Sequence, residues 1–281
     1  VTNKIFTDQL GNQHTFETTP KRIVSLVPSQ TELLYDLGLQ ENIVGITKFC
    51  VHPFHFKSIK TIVGGTKQVK IDKIKELQPD IIICNKEENT LEIVESLQEI
   101  CPVWVTDIYT IEDNNKMIED FGKLFNVRTE AQKWVDKINF AKQDFQNFIK
   151  EYETQSAAYF IWAKPYMVAG NDTFINHLLE LNKFSNIYAN NEKYPGRYPE
   201  VVVQKMRIQG DPDLIFLSSE PYPFNDEHAF ELGRHTHHAK TVFVDGEMFS
   251  WYGSRLVKAF DYFKKLRIRI GELHLQHSHN H

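Results

Sequence analysis

Thiol, imidazole, carboxylate and aromatic side chains gather at a few points of this 281-residue chain, and their spacing limits the chemistry open to each group. CVHPFH brings Cys50, His52 and His55 together, a donor set able to hold a soft or borderline metal. No second ligand pair stands at metal spacing, so an ordinary structural loop is the plainer reading. GGTK at Gly64–Lys67 sets an ammonium behind two glycines, as phosphate loops do. It lacks the closing Lys-Ser or Lys-Thr of a full phosphate frame, and a simple turn is expected. Glu87 and Glu88 offer two carboxylates for acid–base work, but adjacent residues usually point apart. His235, His237 and His238, and then His274, His277, His279 and His281, are rich in metal donors, with adventitious binding as the bland alternative. No G-x-S-x-G elbow is present and Ser, His and Asp follow no recognised order, so the chain reads as a non-enzyme that calls for no cofactor.

The elements that must position these groups follow from periodicity. A β-hairpin is expected from Lys4–Thr7 and His14–Glu17 around Gly11, followed by a buried strand at 22–26. Pro28 ends that strand, Ser29 or Thr31 caps a helix carrying Leu33, Leu34 and Leu37, and Ile43–Thr47 is the next strand. The pattern recurs as helix Ile71–Leu77, strand Ile81–Cys84, helix Thr90–Glu99 and strand Val103–Thr106, with DIIIC and PVWV as continuous apolar runs. From Ile111 to about Gln155 the chain turns helical. Trp134, Ile138, Ala141, Phe145, Phe148 and Tyr152 recur at three- and four-residue steps, with no Gly or Pro from Thr129 to Tyr152. Some 25 residues at ~1.5 Å each make a rod of about 38 Å.

A second α/β set echoes the first. It runs from a strand at Ala157, through Asn171-Asp172-Thr173 as cap, helix Phe174–Leu181, Asn182 as stop, and then NIYAN. IDKIKELQPDIIIC is matched by VQKMRIQGDPDLIFL, a short helix, a Pro-Asp pair and a buried strand. The expected fold class is α/β: two similar lobes with parallel sheets, joined by one long helix. The boundaries fall at 1–108 for the first lobe, 109–155 for the helical region, 156–270 for the second lobe and 271–281 for a His-rich, disordered tail.

In open parallel sheets ligands sit at the carboxyl ends of the strands, and two facing lobes would turn those ends into the walls of one cleft. The residues there are Lys67 and Glu87 in the first lobe. In the second they are Trp162, Tyr166, Arg197, Tyr198, Glu220, Tyr222, Trp251, Tyr252 and Arg255. Rings and opposed charges of this kind suit a large, flat or polar ligand. GEMFSWYGSR, read as a loop, serves equally as core plug or ligand contact.

Composition narrows the partners. Lys plus Arg number 32 against 37 Asp plus Glu, a net charge of −5, which argues against nucleic acid. The longest apolar run, Ala157–Ala163, is far short of the ~18 residues of a membrane span. Cys50, Cys84 and Cys101 cannot all pair within one molecule. No apolar signal core follows Lys4, so no export signal is read from these residues, and a trimmed or cleaved start fits Val1.

The entry PKRIVSLVPSQTELLYDLGL, the GGTK turn and the helix-Pro-Asp-strand element in each half give the chain a further likeness. Over roughly residues 5 to 265 it resembles the substrate-binding proteins of ABC importers for cobalamin, iron-siderophores and haem, the helical-backbone class. The resemblance implies two Rossmann-like lobes with a rigid interlobe helix, a metal chelate in the cleft, and a monomer of the cell envelope that docks on a permease with its ATPase. It also implies docking through a residue of each lobe, here Asp72 and, in place of a second acid, Gln204. Thr66 stands where cobalamin-binding relatives carry tryptophan. The rival readings are a direct metal-ion binder using Cys50, His52 and His55 with a carboxylate such as Glu220, a cytosolic scavenger or sensor, and an enzyme working through Glu87, Glu88 or His52.

Overall fold

The computed structural model describes residues 4–278, with side chains described up to residue 273. The chain forms two units, Val1–Asn139 with Tyr252–Leu256, and Phe140–Trp251 with Val257–His281.

The first unit opens with the antiparallel hairpin β1 (Lys4–Thr7) and β2 (Gln13–Phe16). Its turn is built on Asp8, whose carboxylate accepts the N–H of Leu10 at 3.0 Å and of Asn12 at 2.9 Å and pairs with His14 Nε2 at 3.0 Å. Next come β3 (Ile23–Ser25), α1 (Pro28–Asp36), β4 (Ile43–Ile46), α2 (Phe56–Ile59) and β5 (Thr61–Ile62). They are followed by α3 (Ile71–Leu77), β6 (Ile81–Asn85), α4 (Leu91–Gln98), β7 (Val103–Thr106) and α5 (Ile111–Leu124). The sheet is parallel in the order β5-β4-β3-β6-β7. Every residue of β6 and β7 is buried, as continuous apolar runs require when both sheet faces are covered. Val24, Ile82, Val94, Leu97, Val103 and Val105 share one core cluster.

No side chain caps α1. Pro28 occupies its first turn, where a missing N–H costs nothing, and Thr31 Oγ1 donates back to Val27 O at 3.0 Å. The helix ends through Gly38 at φ 83°, a left-handed stop. Asp8 also accepts the N–H of Val105 at 3.2 Å, which ties the hairpin to β7.

The helical stretch is two helices. α5 starts in a capping box of Thr110 and Asp113, and α6 runs Arg128–Ile149, with left-handed Asn126 (φ 57°) between them. A Cβ on Gly122 would lie 2.6 Å from Ala131 Cβ, so that glycine permits the close crossing. α6 has 22 residues, about 33 Å at 1.5 Å each, and the division between the units falls inside it.

The second unit holds β8 (Gln155–Trp162), β9 (Met167–Val168), α7 (Phe174–Leu181), β10 (Phe184–Asn186), a 3-10 turn Val203–Lys205 and α8 (Met206–Gln209). β11 (Leu214–Ser218), α9 (Asp226–Gly233), β12 (Lys240–Val244), α10 (Gly246–Ser250) and, from Val257 on, α11 (Leu256–Ser278) follow, while the 3-10 turn at Gly253–Arg255 ahead of α11 belongs to the first unit. The parallel order is β10-β8-β11-β12, with β9 antiparallel on β8. It repeats β4-β3-β6-β7: in each unit the first strand lies second and the third strand flanks it. The internal echo in the sequence is therefore a repeat of topology. GEMFSWYGSR is helix and turn around a core plug. Phe249 is fully buried, its ring 4.8 Å from Phe263 and 5.2 Å from Tyr159. α11 continues to Ser278, past residue 270 where the sequence reading ended the lobe; His279 and His281, and the side chains of His274 and His277, lie outside what is described. Among the described residues no helix is long and apolar enough to cross a membrane.

Candidate functional site

At the carboxyl end of the first unit's sheet two loops meet. Lys67 Nζ donates to the carbonyl of Glu87 at 2.6 Å, so the structure brings these two expected site residues together. Asn85, closing β6, holds the second loop by accepting the N–H groups of Glu87 at 2.9 Å and Glu88 at 3.2 Å on Oδ1. Asn89 donates to Leu26 O and Thr66 O and so ties that loop to the GGTK turn. The turn depends on Gly64, at φ 121°, where a Cβ would lie 2.4 Å from Gln68 O.

Tyr252 and Arg255, expected on the second lobe, belong to the first unit. Tyr252 OH accepts from Gln30 Nε2 at 3.1 Å, and burial pushes its phenol up. Gly253 N donates to Asn114 Oδ1 at 2.6 Å and Ser254 Oγ to Asp36 Oδ2. Arg255, 6% exposed, grips Glu32 with two bonds, Nε to Oε1 at 2.9 Å and Nη2 to Oε2 at 2.6 Å. Its fork is spent on a buried carboxylate, which corrects the expectation of Arg255 as a strand-end ligand contact.

The metal reading is also corrected. Cys50 is fully buried with its Sγ 3.2 Å from the hydroxyls of Thr31 and Thr47, and burial pushes its thiol up. His55 packs edge-on against Tyr35 and Phe56. Among the described residues no three His, Cys, Asp or Glu side chains converge as metal ligands. Spacing in sequence is not convergence, because the Cys50 side chain turns into the core. His237 and His238 pair instead with Asp211 and Asp213, ahead of β11 and β12.

In the second unit the expected residues form two groups. Trp251 Nε1 and Ser250 Oγ both donate to Glu220 Oε1, at 3.0 and 3.1 Å. Burial, and then Glu247, raise the Glu220 carboxyl. Gly246 allows α10 to press against this corner, since a Cβ would stand 2.6 Å from Glu220 Cγ. The other group is aromatic. Trp162, 40% exposed at the end of β8, meets Tyr222 edge-on at 5.3 Å, and Tyr222 touches Phe224 at 4.9 Å and His228 at 5.3 Å. Tyr166 OH donates to Glu231 Oε2 at 2.6 Å. Arg197 and Tyr198 are half-buried on the loop whose Arg197 carbonyl accepts the Gly170 N–H at 2.7 Å.

Asp72 is exposed in the first turn of α3, and Gln204 is exposed in the 3-10 turn at the corresponding place before β11. A cavity of about 380 Å³ also opens in the second unit, walled by the turn after β8, the Val201–Gln204 stretch and α9. The sequence reading passed over α9, although Asn225 before Asp226 and Glu227 is a helix-start signal and its side chain does cap the helix. It also passed over Glu32, a carboxylate beside Leu33 and Leu34 on a buried helix, which is itself a sign of an internal partner.

A family of periplasmic binding proteins matches residues 23–244, and the chain belongs to it. An ABC transporter substrate-binding lipoprotein of Bacillus subtilis, YvrC, is 27% identical over 206 residues, which span 70% of this chain and 65% of that one. The fold is shared with the vitamin B12 binding protein BtuF of Vibrio cholerae, with a TM-score of 0.74 at 20% identity over 88% of this chain and 96% of that one. It is shared too with the siderophore binding protein BauB, with a TM-score of 0.75 at 17% identity over 94% and 98% of the two chains.

Proposed function

We propose that this chain is the substrate-binding protein of an ABC importer, carrying a metal chelate of the corrinoid, iron-siderophore or haem class to a permease without turning it over. Family membership supports the class, and the exposed Trp162 ring at the end of a parallel strand supports a flat ligand. Lys67 and Glu87 from the first unit, and Trp162, Tyr166, Arg197, Tyr198, Tyr222 and the Trp251–Glu220 pair from the second, are the proposed contacts. Asp72 and Gln204 are the proposed docking residues. The working place is the cell envelope, and the working form a monomer. Titration of the full chain with cyanocobalamin, hemin and a ferric catecholate, followed by quenching of tryptophan emission, is expected to give micromolar or tighter binding for one of the three and recovery of that compound unchanged. Failure of all three, or conversion of the bound compound, overturns the proposal.

A further inference from the structure

The cavity on the second unit is built from segments far apart in sequence, and its volume of about 380 Å³ is enough for a small organic ligand. Pro165, Val201 and Val203 supply an apolar wall, and the face of α9 opposite them carries Glu227, His228 and Glu231.

Charge decides what fits. His228 Nδ1 lies 3.1 Å from the N–H of Asn225 and its Nε2 3.2 Å from Tyr222 OH, so both ring nitrogens are engaged within the wall. Glu231 is fixed at the wall by the Tyr166 phenol. Among the described residues the side chains of Glu227, Gln204 and Lys164 have no hydrogen-bond or ion-pair partner, and all three line the cavity. Two carboxylates face one ammonium, which leaves the wall with one negative charge in excess.

We propose that this cavity binds a cationic nitrogen group, a guanidinium or ammonium on a short apolar carrier. Glu227 and Glu231 are the charge partners, the Gln204 carbonyl is a further acceptor, and Val201 and Val203 lie against the carrier. Charge-assisted bonds to carboxylates are the strong ones, and the buried Val201 and Val203 offer the carrier apolar surface. The group can arrive as a free amine or as a basic side chain of another protein, and the two sources share this chemistry.

The test is calorimetric titration of the full chain with butylguanidinium, with its neutral isostere butylurea, and with a blocked Ala-Arg-Ala peptide. Butylguanidinium is expected to bind at least about 10-fold more tightly than butylurea. Glu227→Gln should weaken it several-fold, Glu227→Gln with Glu231→Gln should abolish it, and Lys164→Gln should tighten it, because a competing ammonium is gone. Tighter binding of the peptide than of butylguanidinium assigns the site to a protein partner; the reverse assigns it to a free amine. No binding of either cation, equal binding of the urea, or weaker binding in Lys164→Gln overturns the proposal. Glu227 and Lys164 are exposed, so these variants keep the fold even if the double variant does not. Chelate titration of Glu227→Gln should be unchanged, which keeps failure here separate from failure of the chelate reading.

Discussion

In the first unit the ends of β6 and β7 are closed by amides and hydroxyls. Gln30 and Asn85 both bond Thr106, and Asn89 holds the backbone of Leu26 and Thr66. In the second unit, on the same strand order, the ends of β8 and β11 carry half-exposed rings and a raised carboxyl, Trp162, Tyr222 and Glu220. One end is a buried polar network in which Gln30 Nε2 is bonded and Gln30 Oε1 is left without a partner among the described residues, with the Arg255–Glu32 ion pair in the same unit, and the other keeps apolar surface within reach of solvent. A repeated backbone plan thus leaves the difference to side chains: at these strand ends the first unit pairs amides and hydroxyls with one another, and the second leaves rings half-exposed.

The largest effect expected from this contrast is in stability. Removing one partner of a buried pair strands the other, at about 3–5 kcal/mol. Glu32→Ala should therefore lower the urea midpoint far more than Trp162→Ala. Arg255→Ala should behave like Glu32→Ala, and equal midpoints for Glu32→Ala and Trp162→Ala would dissolve the contrast.

Asp8 and Glu220 should respond to pH with opposite signs. Burial alone would raise Asp8, but the bonds from His14, Asn12 and Val105 outweigh it and hold the carboxyl below its usual range. Such a group contributes stability above its unfolded pKa and loses it as pH falls through the folded value. Asp8→Asn should then cost about 1–3 kcal/mol near neutrality, and the two stability curves should converge below about pH 4. Glu220 is raised by burial and by Glu247, so its contribution is full below the unfolded pKa and is lost as pH rises through the folded one. Glu220→Gln should match the parent in acid and equal or exceed it at neutral pH. Denaturation midpoints across the pH range check both, and a Glu220→Gln penalty that grows with pH would contradict the assignment.

A smaller effect is expected on ligand affinity. Trp162→Ala should weaken chelate binding by about 0.5–2 kcal/mol, the range of one ring contact, with little change in midpoint. Unaltered affinity would move the ligand away from the end of β8. The smallest effect belongs to Asp72. An exposed ion pair is typically worth about 0–1 kcal/mol, so Asp72→Lys should leave chelate affinity and stability alone and reduce only transport in a reconstituted importer.

Much of the fold is legible along the chain. Lys4–Thr7, Ile71–Leu77, Val103–Thr106 and Phe174–Leu181 form the expected elements to the residue. Strand and helix periods are set by backbone hydrogen bonds within a few residues, and Thr173 caps its own helix. Where local signals compete, the boundary moves. Pro28 both ends the strand and itself begins the helix, ahead of the expected cap at Ser29 or Thr31, and β10 starts at Phe184 instead of at NIYAN because Lys183, at φ 56°, turns the chain early.

The site was legible only in part, for a physical reason. That polar and aromatic residues follow the strands is a local fact, and Lys67 with Glu87, and Trp162 with Tyr222, do come together. Which groups remain for a ligand depends on partners that no local pattern names: Arg255 finds Glu32 across 223 residues of chain, and Gln30 finds Tyr252 across 222. Cys50, His52 and His55 share six residues yet do not converge as metal ligands, because burial of the thiol outweighs closeness in sequence. The sequence by itself determined the strand order's raw material, the helix stops and the chemical types at the strand ends. Tertiary structure decided which of those side chains the protein keeps for its own interior, since a desolvated charge or amide must be paired inside before it can be spared outside.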